Sequence, residues 1–255
     1  MLRALGNAFA LLTVIPARYS EQVAPDRMSA WFPLVGLLLG SVVLGVGWAL
    51  PDSMYSHPAS LLLAAAIIVA ALASITRGMH WDALADVSDG WWGGHTPERR
   101  REIASDSHTG AFGVAGVVFV ALIQTTALAE LLASPMLAAI PLVFSLSRFA
   151  ATVAAWWGRP AKTTGLGSAV SAHPDVASVI VALISVAAVI ALTVALDAFA
   201  TAHWVTVALL AVIAAALPFV ISRRFGGTTG DVMGASIILV ETIGLTTFAF
   251  LGVIG

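Results

Sequence analysis

Residues 79–110 read MHWDALADVSDGWWGGHTPERRREIASDSHTG, and this stretch decides how the rest of the chain is read. It holds six of the 14 acidic residues of a 255-residue sequence that is apolar almost everywhere else. Asp82, Asp86 and Asp89 recur at i, i+4 and i+7. On a helix these three share one face, with Leu84 and Val87 turned away from it. Like charges stacked on one stripe repel and destabilise an isolated helix. Aspartates so arranged ask for a counter-cation, and a divalent metal is the first candidate.

The composition around this island is that of a membrane protein. Apolar residues make up 59 % of the chain and charged residues 10 %, with a mean hydropathy of +0.96; soluble domains carry about 25 % charged residues. The absence of cysteine excludes disulfides and thiolate metal sites. A net charge of −2 gives no sign of a nucleic-acid partner. The opening MLRALGNAFALLTVIPARYS has an apolar run of signal-peptide type. Only Arg3 precedes that run, however, and Pro16-Ala17 is followed at once by Arg18 rather than by a small-x-small exit. An interfacial or re-entrant helix is expected there.

A spanning helix needs roughly 20 mostly apolar residues. Seven windows qualify: Trp31 to Leu50, Ala59 to Ile75, Phe112 to Leu132, Pro135 to Trp157, Val176 to Leu196, Trp204 to Ile221 and Ala235 to Ile254. Eleven of the 12 basic residues then fall on one side, and only Arg148 lies within a span. By the positive-inside rule that side is the cytoplasm. The expectation is an all-α, polytopic protein of about seven transmembrane helices. Residues 1–255 form one multi-pass domain of the cytoplasmic (inner) membrane, and the polar island faces the cytosol.

Each remaining constellation has a bland reading beside its chemical one. The aspartate stripe is either a solvated face or a site for Mg²⁺, which takes one or two carboxylates plus substrate phosphates. Asp106 is four residues after Glu102 and offers a carboxylate from a second helix; the run Glu98 to Glu102 reads as a solvated face. In RRFGGTTGDVMG (223–234), Gly226, Gly227 and Gly230 suit either an anion-binding turn or a tight connection. Asp231 is either a ligand or a cap. Arg159 and Lys162 hold a phosphate or merely obey topology. Arg148 and Glu241 lie inside spans, roughly 9–14 Å from the cytosolic end. They are candidates for one ion pair, and otherwise for substrate contacts. His80 and Asp82 are candidates for proton transfer, although a lone histidine is more often structural. Because repulsion on the stripe would be relieved, Asp→Asn at Asp82, Asp86 or Asp89 is expected to leave folding intact.

The runs H80-W-D82-A-L-A-D86-V-S-D89-G90, D106-S-x-x-G110 and G226-G-T-T-G-D231-x-x-G234-A closely resemble the cobalamin synthase (adenosylcobinamide-GDP ribazoletransferase) family. FPLVGLLLG at 32–40, Ser147-Arg148 and GLG at 165–167 also look like family features, so the resemblance runs through nearly the whole chain. One departure is Ala83, where the family's H-x-D-G-L-A-D run has glycine. The resemblance implies that the hydroxyl of α-ribazole, or of its 5′-phosphate, attacks the phosphorus next to cobinamide in adenosylcobinamide-GDP, with GMP leaving. It also implies Mg²⁺ held by Asp82, Asp86, Asp89 and Asp106, with His80 and the stripe catalytic. Arg148, Arg159, Lys162, Gly226, Gly227, Gly230, Asp231 and Glu241 would bind substrate. The alternatives are a CDP-alcohol phosphotransferase acting on a lipid acceptor and a cation-coupled transporter. The acidic residues cluster at the ends of the spans rather than mid-membrane, which disfavours transport. Partners are the two substrates and the lipid bilayer, and a homo-oligomer is left open.

Overall fold

In the computed structural model, residues 2–17, 20, 22–161, 168, 170–196 and 203–254 are described. Among them the regular elements are all helical. They are α1 (Leu2–Leu12), α2 (Pro25–Ser29), α3 (Phe32–Trp48), α4 (Asp52–Tyr55), α5 (Pro58–Ile75), α6 (Met79–Gly93), α7 (Pro97–Ala104) and α8 (Ala111–Leu132). A 3-10 turn at Pro135–Ala139 then leads into α9 (Ile140–Trp157), followed by α10 (Val176–Ala195), α11 (His203–Phe225) and α12 (Gly230–Ile254).

Seven stretches are long and apolar enough to cross a membrane, and they coincide with the seven windows read from the sequence. The first begins earlier than expected, at Pro25, and the last at Gly230 rather than Ala235. The second shift has a local cause. Thr229 Oγ1 accepts the backbone N–H of Val232 at 3.1 Å and caps the helix, so Asp231 stands in the first turn of α12. Helix α1 has 11 residues, too few to span. It is tied to the bundle instead. Asn7 exchanges two hydrogen bonds with the Ser20 backbone, and Arg77 Nη2 donates to the carbonyls of Ala10 and Leu11 at 2.7 and 2.8 Å.

The core is centred on α9, which is buried along almost its whole length and packs against α3, α11 and α12. The glycines of the 32–40 run make the closest of these contacts possible. A Cβ at Gly40 would fall 2.6 Å from Pro141 Cα, so α3 and α9 meet nearly backbone to backbone, as small residues permit in membranes. Large apolar side chains such as Val42, Leu63, Phe119, Leu183, Val212 and Phe250 point outward. A bilayer would cover them.

The first half of the polar island is helical, as the aspartate spacing requires, and α6 is wedged between α8 and α12. Its apolar face is buried as predicted, with Leu84 against Val120 and Ile238 and Val87 beside Val232 and Ala235. Val120 and Ile238 lie roughly 12–14 Å along α8 and α12 from their starts, and Val232 and Ala235 roughly 3–8 Å along α12. Chain direction is reset between α5 and α6 by two consecutive positive-φ residues, Arg77 (57°) and Gly78 (65°). On the α12 side, a Cβ at Gly234 would fall 2.6 Å from the Cβ of Ala83. Ala83 therefore serves helix packing and stands off the carboxylate face.

Candidate active site

The three stripe aspartates occupy three environments. Asp82 is exposed, Asp86 half-buried and Asp89 buried. At Asp86, burial and then the charges of Asp82, Asp231 and Asp89 push the carboxyl up to about 7. Asp231, from the first turn of α12, thus joins the stripe electrostatically. Such a cluster is relieved by a proton or by a cation.

Asp106 does not join it. This carboxylate is exposed and accepts the His108 backbone N–H at 3.0 Å, with His108 Nδ1 at 2.8 Å. The backbone bond above all holds it below the usual carboxylate range. Among the charges that act on Asp86, the one from a second helix is Asp231, and Asp106 is not one of them.

Asp89 has a further duty that its spacing does not announce. Oδ2 accepts the N–H of Gly110 at 2.7 Å and Oδ1 that of Gly113 at 2.8 Å. It therefore satisfies the open amides at the start of α8 and opposes the positive end of that helix. A Cβ at Gly110 would fall 2.5 Å from Oδ1, which accounts for the glycine that closes D106-S-x-x-G110. The expectation that Asp89→Asn leaves folding intact is corrected accordingly. One amide would then face an NH₂ group, and the protein is expected to lose about 1–2 kcal/mol of stability. Thermal unfolding in detergent would read this; unchanged stability with lost activity would assign Asp89 to the reaction itself.

The glycine-rich turn is likewise more structural than its sequence suggests. Gly226 (φ 67°) ends α11 in the left-handed region, and the Gly227 N–H returns to Ser222 O at 2.9 Å, a glycine C-cap. The Thr228 N–H donates to Arg159 O at 2.7 Å and Thr228 O accepts from Ala161 at 3.0 Å. The amides of Gly227 and Thr228 are thus turned inward, and the expected anion cradle is not formed by them. What the turn does achieve is juxtaposition, bringing Arg159 beside the segment that leads to Gly230 and Asp231. Lys162 lies outside the described residues.

His80 is 2 % exposed and lines a cavity of about 30 Å³ with Phe32, Met233 and Gly234. Burial, and secondarily the charge of Arg148, lower its pKa to about 3, so the ring is neutral at working pH. A neutral ring has no imidazolium proton to give but can accept one, and its Nε2 is buried without a hydrogen-bond partner among the described residues. Arg148 Nη1 donates to both Glu241 Oε2 and Ser147 Oγ, so these two buried charges are spent on each other. The run Glu98 to Glu102 is a correction in the opposite direction. Arg99 and Glu102 do face outward as a pair, but Arg100 and Arg101 donate to the carbonyls of Arg224 and Phe225 at the end of α11. No periodicity in the sequence could have signalled that.

The donor set suits a hard cation, since the stripe offers carboxylate oxygens. Among the described residues no group of three or more His, Asp or Glu side chains is placed to hold a metal ion. Mg²⁺ bound by one or two carboxylates and by substrate phosphates does not require one.

Fold and site together define a multi-pass α-helical membrane protein with a carboxylate face set between two spans at one end of the bundle. A family model described as cobalamin-5-phosphate synthase matches residues 4–249. The chain belongs to that family. A relative from Syntrophobacter fumaroxidans, named adenosylcobinamide-GDP ribazoletransferase, is 34 % identical over 253 residues, covering 96 % of this chain and 97 % of the relative. Relatives of the same name from Chlorobium chlorochromatii (32 % identical; 98 % and 97 % covered) and Frankia casuarinae (34 %; 95 % and 93 %) are similar over the same extent. No solved structure matches the chain.

Proposed function

We propose that this protein transfers the cobinamide-phosphate moiety of adenosylcobinamide-GDP to α-ribazole or its 5′-phosphate, the nucleotide-loop assembly step of cobalamin synthesis. The acceptor oxygen bonds to the phosphorus next to cobinamide, the bond from that phosphorus to the GMP phosphate breaks, and the hydroxyl proton is released. The observation that carries this reading is the match to the family over residues 4–249, in a chain whose Asp86 stands in the field of Asp82, Asp231 and Asp89. One or two of these carboxylates, together with the substrate's phosphates, would hold Mg²⁺. That ion supplies charge neutralisation for the pyrophosphate and the departing phosphate. The protein's own part is positioning: Asp89 fixes α6 to α8, and the 226–230 turn brings Arg159 to the same end. Purified protein given adenosylcobinamide-GDP, α-ribazole and Mg²⁺ is expected to release GMP. No GMP would overturn the assignment, and turnover of a CDP-alcohol instead would favour the alternative.

The site faces the cytoplasm in this reading, because the end that carries it collects eleven of the 12 basic residues. The chain has no cysteine, so single-cysteine variants report cleanly. A cysteine at Thr96 is expected to react with an impermeant thiol reagent only after permeabilisation, and one at Ser56 in intact spheroplasts. Labelling of Thr96 from outside would reverse the orientation.

A further inference from the structure

The contacts of Arg101 connect two halves of the site that no single helix joins. Its Nη1 donates to the carbonyl of Phe225, the last residue of α11. The same nitrogen occupies the space that a Cβ on Gly226 would need. Its Nη2 lies 3.4 Å from Glu98 Oε1, and the side chain is 20 % exposed against 58 % for Arg99. Beside it, Arg100 Nη1 reaches the Arg224 carbonyl at 3.2 Å. The backbone of α7 is equally close to α6, for a Cβ at Gly90 would fall 2.7 Å from Arg100 O and 2.8 Å from the Phe225 ring. Gly90 directly follows Asp89, and Gly226 lies five residues before Asp231. The end of the stripe helix, α7 and the end of α11 therefore meet at contacts that leave no room for a β-carbon.

We infer that Arg101 is a positioning residue: it fixes the Gly226–Gly230 turn, and through it Asp231, against the aspartate stripe, and so governs binding of the phosphate-bearing donor without touching it. The inference rests on the function proposed above. A guanidinium suits the task because it is planar and carries several donors. It can bond the open carbonyl at the negative end of α11, reach Glu98 and still lie flat on a glycine. Lysine offers one point charge and cannot do all three.

Two measurements on the purified full-length protein in detergent test this. In Arg101→Ala, amide hydrogen exchange across residues 226–231 is expected to quicken by about tenfold or more. The KM for adenosylcobinamide-GDP is expected to rise roughly tenfold, with a smaller change in kcat and in the KM for α-ribazole. Arg101→Lys should fall between, and Gly226→Ala, which pushes the guanidinium off from the other side, should reproduce both effects if the alanine variant does not accumulate. Arg99→Ala removes the same charge from the outer face of α7 and should change neither. Unaltered exchange would overturn the clamp. Faster exchange with an unaltered donor KM would break its link to the reaction, and an equal shift in Arg99→Ala would make the effect one of net charge. Hydrogen exchange needs no substrate, so a wild type that released no GMP would sink the proposed function and leave the clamp separately judged.

Discussion

Asp82→Asn and Asp86→Asn are each expected to lower GMP release by at least ~100-fold, comparable to the loss of one oxyanion-stabilising donor. Asparagine keeps the shape and removes the charge. The variants should fold, because Asp86 already stands among the charges of Asp82, Asp231 and Asp89, with its carboxyl raised to about 7. Removing one negative charge eases that repulsion. Added Mg²⁺ should partly rescue Asp82→Asn, at the exposed edge of the stripe, more than Asp86→Asn at its centre. The wild type should need more Mg²⁺ as pH falls below about 7, where protons compete for Asp86. Glu102→Gln, on the outward face of α7, should do almost nothing. Near-normal turnover of the Asp86 variant at limiting Mg²⁺ would end the metal-clamp account.

The largest effect on stability is expected at the core ion pair. Arg148 and Glu241 are 2 % and 4 % exposed, and the guanidinium also lies 5.0 Å from the centroid of the Phe144 ring. Either single alanine substitution strands the partner's charge in an apolar interior and should cost on the order of 3–5 kcal/mol. Removing both leaves no orphaned charge, so the double variant should be milder than the sum of the singles. Unfolding by heat or by denaturing detergent would read all three. Strict additivity would mean that the pair contributes nothing as a pair.

How much of this was legible in advance depended on range. The seven spans and the burial of Leu84 and Val87 opposite the aspartates follow from local hydropathy and a 3.6-residue period, and the structure has both. The pairing of Arg148 with Glu241 was open to inference because two costly charges at similar depth need each other. What could not be read was which distant segment comes to rest beside α6. That choice brought the charge of Asp231, from a segment far away in sequence, to bear on Asp86. It gave Asp89 to the amides of α8, and it turned Arg100 and Arg101 inward from a run that looks fully solvated. Spacing also could not separate a glycine turn that caps a helix from one that binds an anion, since both need the same backbone freedom.

The contact between Ala83 and Gly234 carries a consequence for how the two helices can vary. A second β-carbon there would lie 2.6 Å from the first, well inside contact distance. The α6–α12 seam therefore has space for a single methyl, held in common by two positions far apart in sequence. A chain with glycine at 83 could accept alanine at 234 and keep the helices at the same separation. Alanine at both would push α12 outward and take Asp231 with it. Substitution at either position is thus constrained by its opposite number, and the departure at Ala83 is tolerable because Gly234 gives way.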